Sequence, residues 1–183
     1  MTKMIPVMVA LDAELPDVLP APYVKVVMGV GKIKASIATM KAIQQYQPDR
    51  VINYGTAGSL NPVFSSGMYQ VASVGQRDMD VRALGNRLGE TPFSKEHWIT
   101  LSDVESRPTL TSGDNFVSST PDLVSDLVDM EAYAIAMVCR DQKIPLDVYK
   151  FVSDNADEKA HISWEENVAA GSAQFVELLV NRQ

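Results

Sequence analysis

At 183 residues the chain is long enough for one domain that buries roughly 70% of the surface its unfolded form exposes, so neither a metal nor a disulfide staple is required. A net charge of −7 leaves little room for the basic face that binding to nucleic acid or anionic lipid demands, and both are excluded as partners. Cys139 is the only cysteine, which rules out an internal disulfide and, at an apolar helical position, reads as packing. No apolar run is long enough to span a bilayer and the N-terminus lacks the pattern of a signal peptide, so a cytoplasmic location is expected.

In chain order, Met4 to Leu11 and Tyr23 to Met28 read as short buried strands. Lys32 to Tyr46 follows with Ile33, Ile37, Met40 and Ile43 at helical spacing, and Val51 to Tyr54 is a third strand. Strand, helix, strand implies parallel pairing. Tyr69 to Val74 and Leu146 to Val152 are further strand candidates, while Asp129 to Asp141 and Ser163 to Val180 read as helices, the last opened by a capping-box pair, Ser163 and Glu166. A short segment from Thr120 carries proline at a first helical position. Arg82 to Pro108 is expected to be loop. The fold class is therefore α/β, a single domain over 1–183 with a central sheet flanked by helices.

Two strands run into glycine turns, "MGVGKIKA" and "NYGTAGSL". The first lacks the third glycine of a dinucleotide fingerprint and is not a P-loop, so each by itself is a weak sign of a ligand floor. Three acids carry more information. Glu14 follows the first strand, Glu131 stands ahead of a core helix, and Asp154 ends the strand "LDVYKFVS". Carboxylates at such positions are rarely buried without a partner or a task, although helix-dipole complementation and turn capping are the plain alternatives. Three acids on one side of a sheet suit acid and base steps on a hydroxylated substrate. His97 and His161 lack metal-like spacing, so no metal is expected, and no nucleophile elbow is present. Arg77 to Asp80 reads more readily as a solvated loop than as a site, and Phe116 and Trp164 as packing or as rings for a heterocycle.

Taken together, "MGVGKIKASIAT", "NYGTAGSL", "TSGDNFV", "VDMEAYAIAMVC" and "VSDNADEKAHISWEE" resemble the nucleoside phosphorylase and nucleosidase superfamily, nearest its branch that cleaves 5′-methylthioadenosine and S-adenosylhomocysteine. The resemblance implies a three-layer αβα sandwich with a mixed, largely parallel sheet, a homodimer, no cofactor, and hydrolysis of an adenine nucleoside to adenine and the free sugar. By motif, Glu14 would activate water, Asp154 would protonate the purine N7, and Glu131 would bind the ribose hydroxyls above Met130. Phe116 would stack on adenine beside Val117. Val30, Thr56, Ala57, Gly58, Asp129, Ser153 and Trp164 complete the implied substrate pocket, and Val81, Leu84 and Pro92 would line a partner subunit's pocket.

The chain departs from the pattern at Thr56, Ser59, Asp129 and Asn86, and segments are missing between Pro92 and Thr109 and between Ser118 and Val128. Asn53 stands where the hexameric phosphorylases carry a phosphate-binding arginine, which disfavours phosphorolysis, while Lys32 and Arg77 remain possible sources of charge. The alternatives are a purine nucleoside phosphorylase, a nucleosidase for adenosine, inosine or futalosine, and a non-catalytic nucleoside-binding protein.

Overall fold

Strand β1 (Ile5–Val9) pairs in parallel with β2 (Tyr23–Val27) on one side and with the start of β3 (Val51–Ser59) on the other. The computed structural model describes residues 3–94, 96–157, 164 and 167–182. Between β2 and β3 runs helix α1 (Lys32–Tyr46), the expected crossover. Its buried face is Ala35, Thr39, Ala42 and Ile43, whereas Ile33 and Ile37 are exposed. The helical period is as expected, but the first half of the stripe, Ile33 and Ile37, faces outward and only Ile43 is buried, because α1 lies against the alanine-rich helix α2 (Ala132–Asp141) and small residues let two helices approach closely.

The stretch from Tyr69 to Val74 is two strands rather than one, β4 (Gly67–Gln70) and β5 (Ser73–Gln76). The long loop contains β6 (Trp98–Thr100), followed by β7 (Thr109–Ser112) and β8 (Leu127–Asp129). Asp129 is therefore the end of a strand and not part of a helix, and α2 begins only after Glu131. The segment from Thr120 is not helical. β9 (Leu146–Asp154) closes the series. The expected helix from Ser163 to Val180 is not continuous: residues 168–171 form a turn and α3 covers only Ser172–Val180, while the Ser163 and Glu166 capping pair lies outside the described residues. Among the described residues no helix is long and apolar enough to cross a membrane.

The sheet runs β2-β1-β3-β8-β7-β5-β6, with β9 paired to β3 and β4. Most pairings are parallel; β3/β8, β4/β9 and β5/β6 are antiparallel. One apolar cluster fills the side under α1 and α2, including Met8, Val51, Val74, Leu110 and Ile135. The other lies on the α3 side, where Phe175 stacks on Tyr54 at 4.3 Å between ring centres, among Val7, Val9 and Ile52. Sheet and two helical faces make the α/β sandwich.

β3 decides where a cavity can form. One edge pairs with β9 from Val51 to Gly58, while the other pairs with β1 at Ile52 and Asn53 and with β8 only at Gly58 and Ser59. β1 and β8 thus diverge on that edge, leaving the backbone from Tyr54 to Ala57 without a strand neighbour. The opening is met by polar side chains instead.

Candidate active site

A cavity of about 200 Å³ occupies this opening. Glu14, Glu131 and Asp154, far apart in sequence, all line it, together with Val30, Thr56, Ala57, Gly58, Phe116, Val117, Asp129, Met130, Ser153 and Trp164. Val81, Leu84 and Pro92 do not; they belong to a separate surface segment in which Leu84 is exposed.

Glu14 sits at the end of a short 3-10 turn after β1 and is 97% buried, given an exposure of 3%. Its Oε2 accepts from the Leu11 backbone N–H at 2.9 Å and its Oε1 from the Thr56 N–H at 3.2 Å, one of the groups released where β1 and β8 part. Burial raises its pKa, and those two amides and the charge of Lys150 hold the rise back. Gly55 is needed here, because a Cβ at that position would stand 2.9 Å from Glu14 Oε1 and 3.5 Å from Lys150 Nζ.

Asp154 ends β9 at an irregularity where Ala57 pairs with Val152 but Gly58 pairs with Asp154. Such a bulge re-aims the side chain at a strand end. Oδ1 accepts from the Ala156 N–H at 2.9 Å and Oδ2 from the Ser153 hydroxyl at 2.8 Å. Burial raises its pKa against both bonds. Gly58 makes room: a Cβ there would lie 2.8 Å from Asp154 Oδ1.

Glu131 occupies the N-cap position of α2 and accepts from the Gly31 N–H at 2.9 Å, so the first glycine turn and the helix start meet at one carboxylate. Burial first, and then the neighbouring Asp129, push its pKa up to about 7. Phe116 and Trp164 stand edge to face at 6.4 Å, with Phe116 half exposed, and the Trp164 indole N–H donates to the Thr56 hydroxyl at 3.0 Å.

Lys150 was missed in the sequence. It is 1% exposed in the middle of β9, and its Nζ lies 2.8 Å from Asp129 Oδ2. Burial works against its charge, but Asp129, Glu131 and Glu14 outweigh that and raise its pKa overall. The signal was present: one lysine inside the apolar run "VYKFV" must be buried, and a buried ammonium must be paired. Asp129 is fully engaged, accepting from the Ser112 hydroxyl at 2.5 Å and the Ala132 N–H at 3.0 Å besides Lys150.

Arg77 is also buried rather than solvated, and lines the cavity. Its Nη1 donates to the carbonyls of Thr111 at 2.8 Å and Asp129 at 2.6 Å, and its Nη2 to those of Gly113 at 3.2 Å and Asn115 at 2.6 Å. The guanidinium thus pins the loop after β7 to β8. Lys32 is held by Asp78 at 2.5 Å and does not line the cavity.

A family model described as Phosphorylase superfamily matches residues 21–181. The chain belongs to that superfamily. Within the superfamily, it is 34% identical to a 5′-methylthioadenosine/S-adenosylhomocysteine nucleosidase from Staphylococcus aureus (strain bovine RF122 / ET3-1), over 84% of this chain and 79% of the relative. The superfamily fold is equally clear in solved structures. A Helicobacter pylori nucleosidase of the same name, with butyl-thio-DADMe-Immucillin-A, superposes with a TM-score of 0.85 at 22% identity, covering 100% of this chain and 99% of that one. Futalosine hydrolase of H. pylori strain 26695 superposes at 0.86 and 22% identity, covering 100% and 99%.

Proposed function

We propose that the chain hydrolyses the N-glycosidic bond of an adenine nucleoside, 5′-methylthioadenosine or S-adenosylhomocysteine, releasing adenine and the free sugar. The observation that carries this reading is electrostatic. Glu14, Asp129 and Glu131 surround one ammonium, Lys150, and the other cation lining the cavity, Arg77, gives both terminal nitrogens to backbone carbonyls. Carboxylates beside the ribose stabilise the positive charge that develops on it as the bond breaks, and among the described residues neither lining cation is left free to bind a phosphate nucleophile. Water is the nucleophile that fits.

In this reading Glu131 grips the ribose hydroxyls with Met130 beneath the sugar, and Phe116 and Val117 take the base. Glu14 removes a proton from water as its oxygen bonds the anomeric carbon. The glycosidic electron pair leaves on adenine, which takes a proton at N7 from Asp154. Burial raises the pKa of both carboxyls against the hydrogen bonds each accepts; what sets them apart is the Lys150 charge, which favours the ionised, accepting form of Glu14 and has no counterpart at Asp154.

We also propose a cytoplasmic homodimer. The segment with Val81, Leu84 and Pro92 leaves Leu84 69% exposed and Phe93 fully exposed, apolar surface of the kind that a second copy covers. The test of function is adenine release from 5′-methylthioadenosine in phosphate-free buffer, run beside S-adenosylhomocysteine, adenosine, inosine and futalosine. Equal rates with and without phosphate are expected. Release that requires phosphate would replace hydrolysis by phosphorolysis, and binding without release in any arm would leave a nucleoside-binding protein.

A further inference from the structure

Three charged residues of the motifs have no part in the reaction: Asp114 of "TSGDNFV", Lys32 after the first glycine turn, and Asp78 after Arg77. The structure joins them. Helix α1 starts at Lys32 with Gly31 at its N-cap position, so the cap has no side chain to meet the free N–H groups of the first turn. Two carboxylates from elsewhere meet them. Glu131 Oε1 accepts from the Gly31 N–H at 2.9 Å, and Asp114 Oδ1 from the Lys32 N–H at 2.8 Å. Gly31 has a φ of +96°, and a Cβ there would stand 3.2 Å from Asp114 Oδ1, so the close approach favours glycine.

The loop from Gly113 to Val117 leaves β7 without regular structure and brings Phe116 and Val117 to the cavity wall. Arg77 ties it to the sheet through the Gly113 and Asn115 carbonyls. Asp114 ties it to the start of α1. The Asp114 N–H also donates to Asp78 Oδ2 at 2.8 Å, and Lys32 Nζ lies 2.5 Å from Asp78 Oδ1 and 3.7 Å from Asp114 Oδ2. The Lys32 side chain is 14% exposed, so this is more than a loose surface pair. Adjacent N–H groups of one turn are thus bonded to Glu131 and to the loop that carries Phe116.

We propose that Asp114 is a positioning residue for the nucleoside: by fixing the Phe116 loop to the turn that orients Glu131, it sets the base ring at the right separation from the ribose clamp. The inference rests on the roles given to Phe116 and Glu131 above and deepens them. Base and ribose hydroxyls are joined through one glycosidic bond, so their separation is nearly fixed. Two contacts gain most when the protein holds them at that separation before binding. Without the Asp114 bonds the loop keeps its Arg77 ties but loses its link to α1, and ordering the ring then weakens binding.

The plain alternative is that Asp114 caps α1 and only stabilises the helix. The experiment separates the two. Asp114→Ala removes the acceptor, and Asp114→Asn keeps a side-chain oxygen for the Lys32 N–H; each is assayed with 5′-methylthioadenosine, alone and combined with Phe116→Leu. Asp114→Ala should raise KM by roughly five- to tenfold with kcat within about threefold, the scale of one lost cap bond, and Asp114→Asn should stay within about twofold of wild type. In the Phe116→Leu background Asp114→Ala should add less than about twofold, because the ring it positions is gone. Additive effects in that cycle, or an equal rise for Asp114→Asn and Asp114→Ala, overturn the proposal. So does a lowered melting temperature with unchanged KM, which is what capping alone produces. If Asp114→Ala does not fold, Asp114→Ser is read by the same criteria. A wild type that binds 5′-methylthioadenosine without cleaving it sinks the hydrolytic reading, and the same cycle in dissociation constants from equilibrium dialysis then decides the role of Asp114. A wild type that does not bind it overturns both.

Discussion

β3 and β9 each have two unlike halves. In the first halves, Val51, Ile52, Tyr54, Leu146, Val148 and Tyr149 are buried among apolar neighbours, with Phe175 of α3 packed against Tyr54. In the second halves, the same paired strands carry Gly55, Thr56, Gly58, Lys150, Ser153 and Asp154 around the cavity. The pairing is continuous to Ala57, so the backbone hydrogen bonds differ little between the halves. What differs is what the other edge of β3 meets: β1 along the first half, and beyond it a gap that polar side chains fill. The first half holds the sheet together, and the second uses that rigidity to keep charges at fixed distances.

The largest expected effect comes from the second half. Asp154→Asn removes the proton donor while keeping shape and should lower kcat by about 10²–10⁴-fold, with stability unchanged or raised. Steady-state kinetics beside a denaturant curve checks both; unchanged kcat would remove Asp154 from the reaction.

Lys150→Met should destabilise the fold by about 3–5 kcal/mol, since it strands Asp129 as a buried, unpaired charge. The double variant with Asp129→Asn should recover most of that in a denaturant titration. If the single and double variants are equally unstable, the ion pair is not what Lys150 contributes.

Phe175→Ala tests the first half. It should cost about 3–5 kcal/mol, with kcat near wild type at temperatures where the protein stays folded. A large loss of kcat in folded protein would show that the halves are not separable.

Glu131→Gln should lose substrate affinity and gain stability at once. The folded pKa is near 7 against an ordinary 4.5, so the carboxyl prefers its proton in the folded chain. Its contribution to stability is complete below pH 4.5 and is lost as pH rises to about 7. Above that, the ionised group costs about 3 kcal/mol, which Gln removes. Melting temperatures of the two proteins should therefore converge near pH 4.5 and separate above pH 7. Parallel curves across that range would contradict the shift. Trp164→Phe should be mildest, removing the bond to Thr56 while keeping a ring, with KM raised by about fivefold and kcat little changed.

Much of this was legible in the chain itself. Short apolar runs marked β1, β2, the start of β3 and β9, and helical spacing marked α1. The acids at element ends were recognisable because burial makes an unused carboxylate costly, and the motif order carried them to one family. The face that α1 buries was only partly legible: Ile43 is buried, but Ile33 and Ile37 of the same stripe are exposed, and Ala35 and Ala42 take the contact because α2 lies so close. The start of α2 was misplaced for a related reason. Asp129 and Met130 look like a helical first turn, but pairing of Leu127 to Asp129 with β7 holds Asp129 extended, and Met130 is a bend ahead of the helix.

Arg77 shows the limit most plainly. Local composition makes "QRDMD" look solvated, and only the convergence of four carbonyls from 111, 113, 115 and 129 buries its guanidinium. Lys150 was detectable as a charge within an apolar strand, but its partner was not, since strand pairing and not sequence distance brings Asp129 within 2.8 Å. The sequence by itself determined which residue types are available for chemistry and which segments are buried, because side-chain hydration and local period are properties of the chain. Only the tertiary structure decided which charges meet, which are spent on backbone, and that one face of Asn53 is left unpaired, because those depend on how β1 and β8 part along the edge of β3.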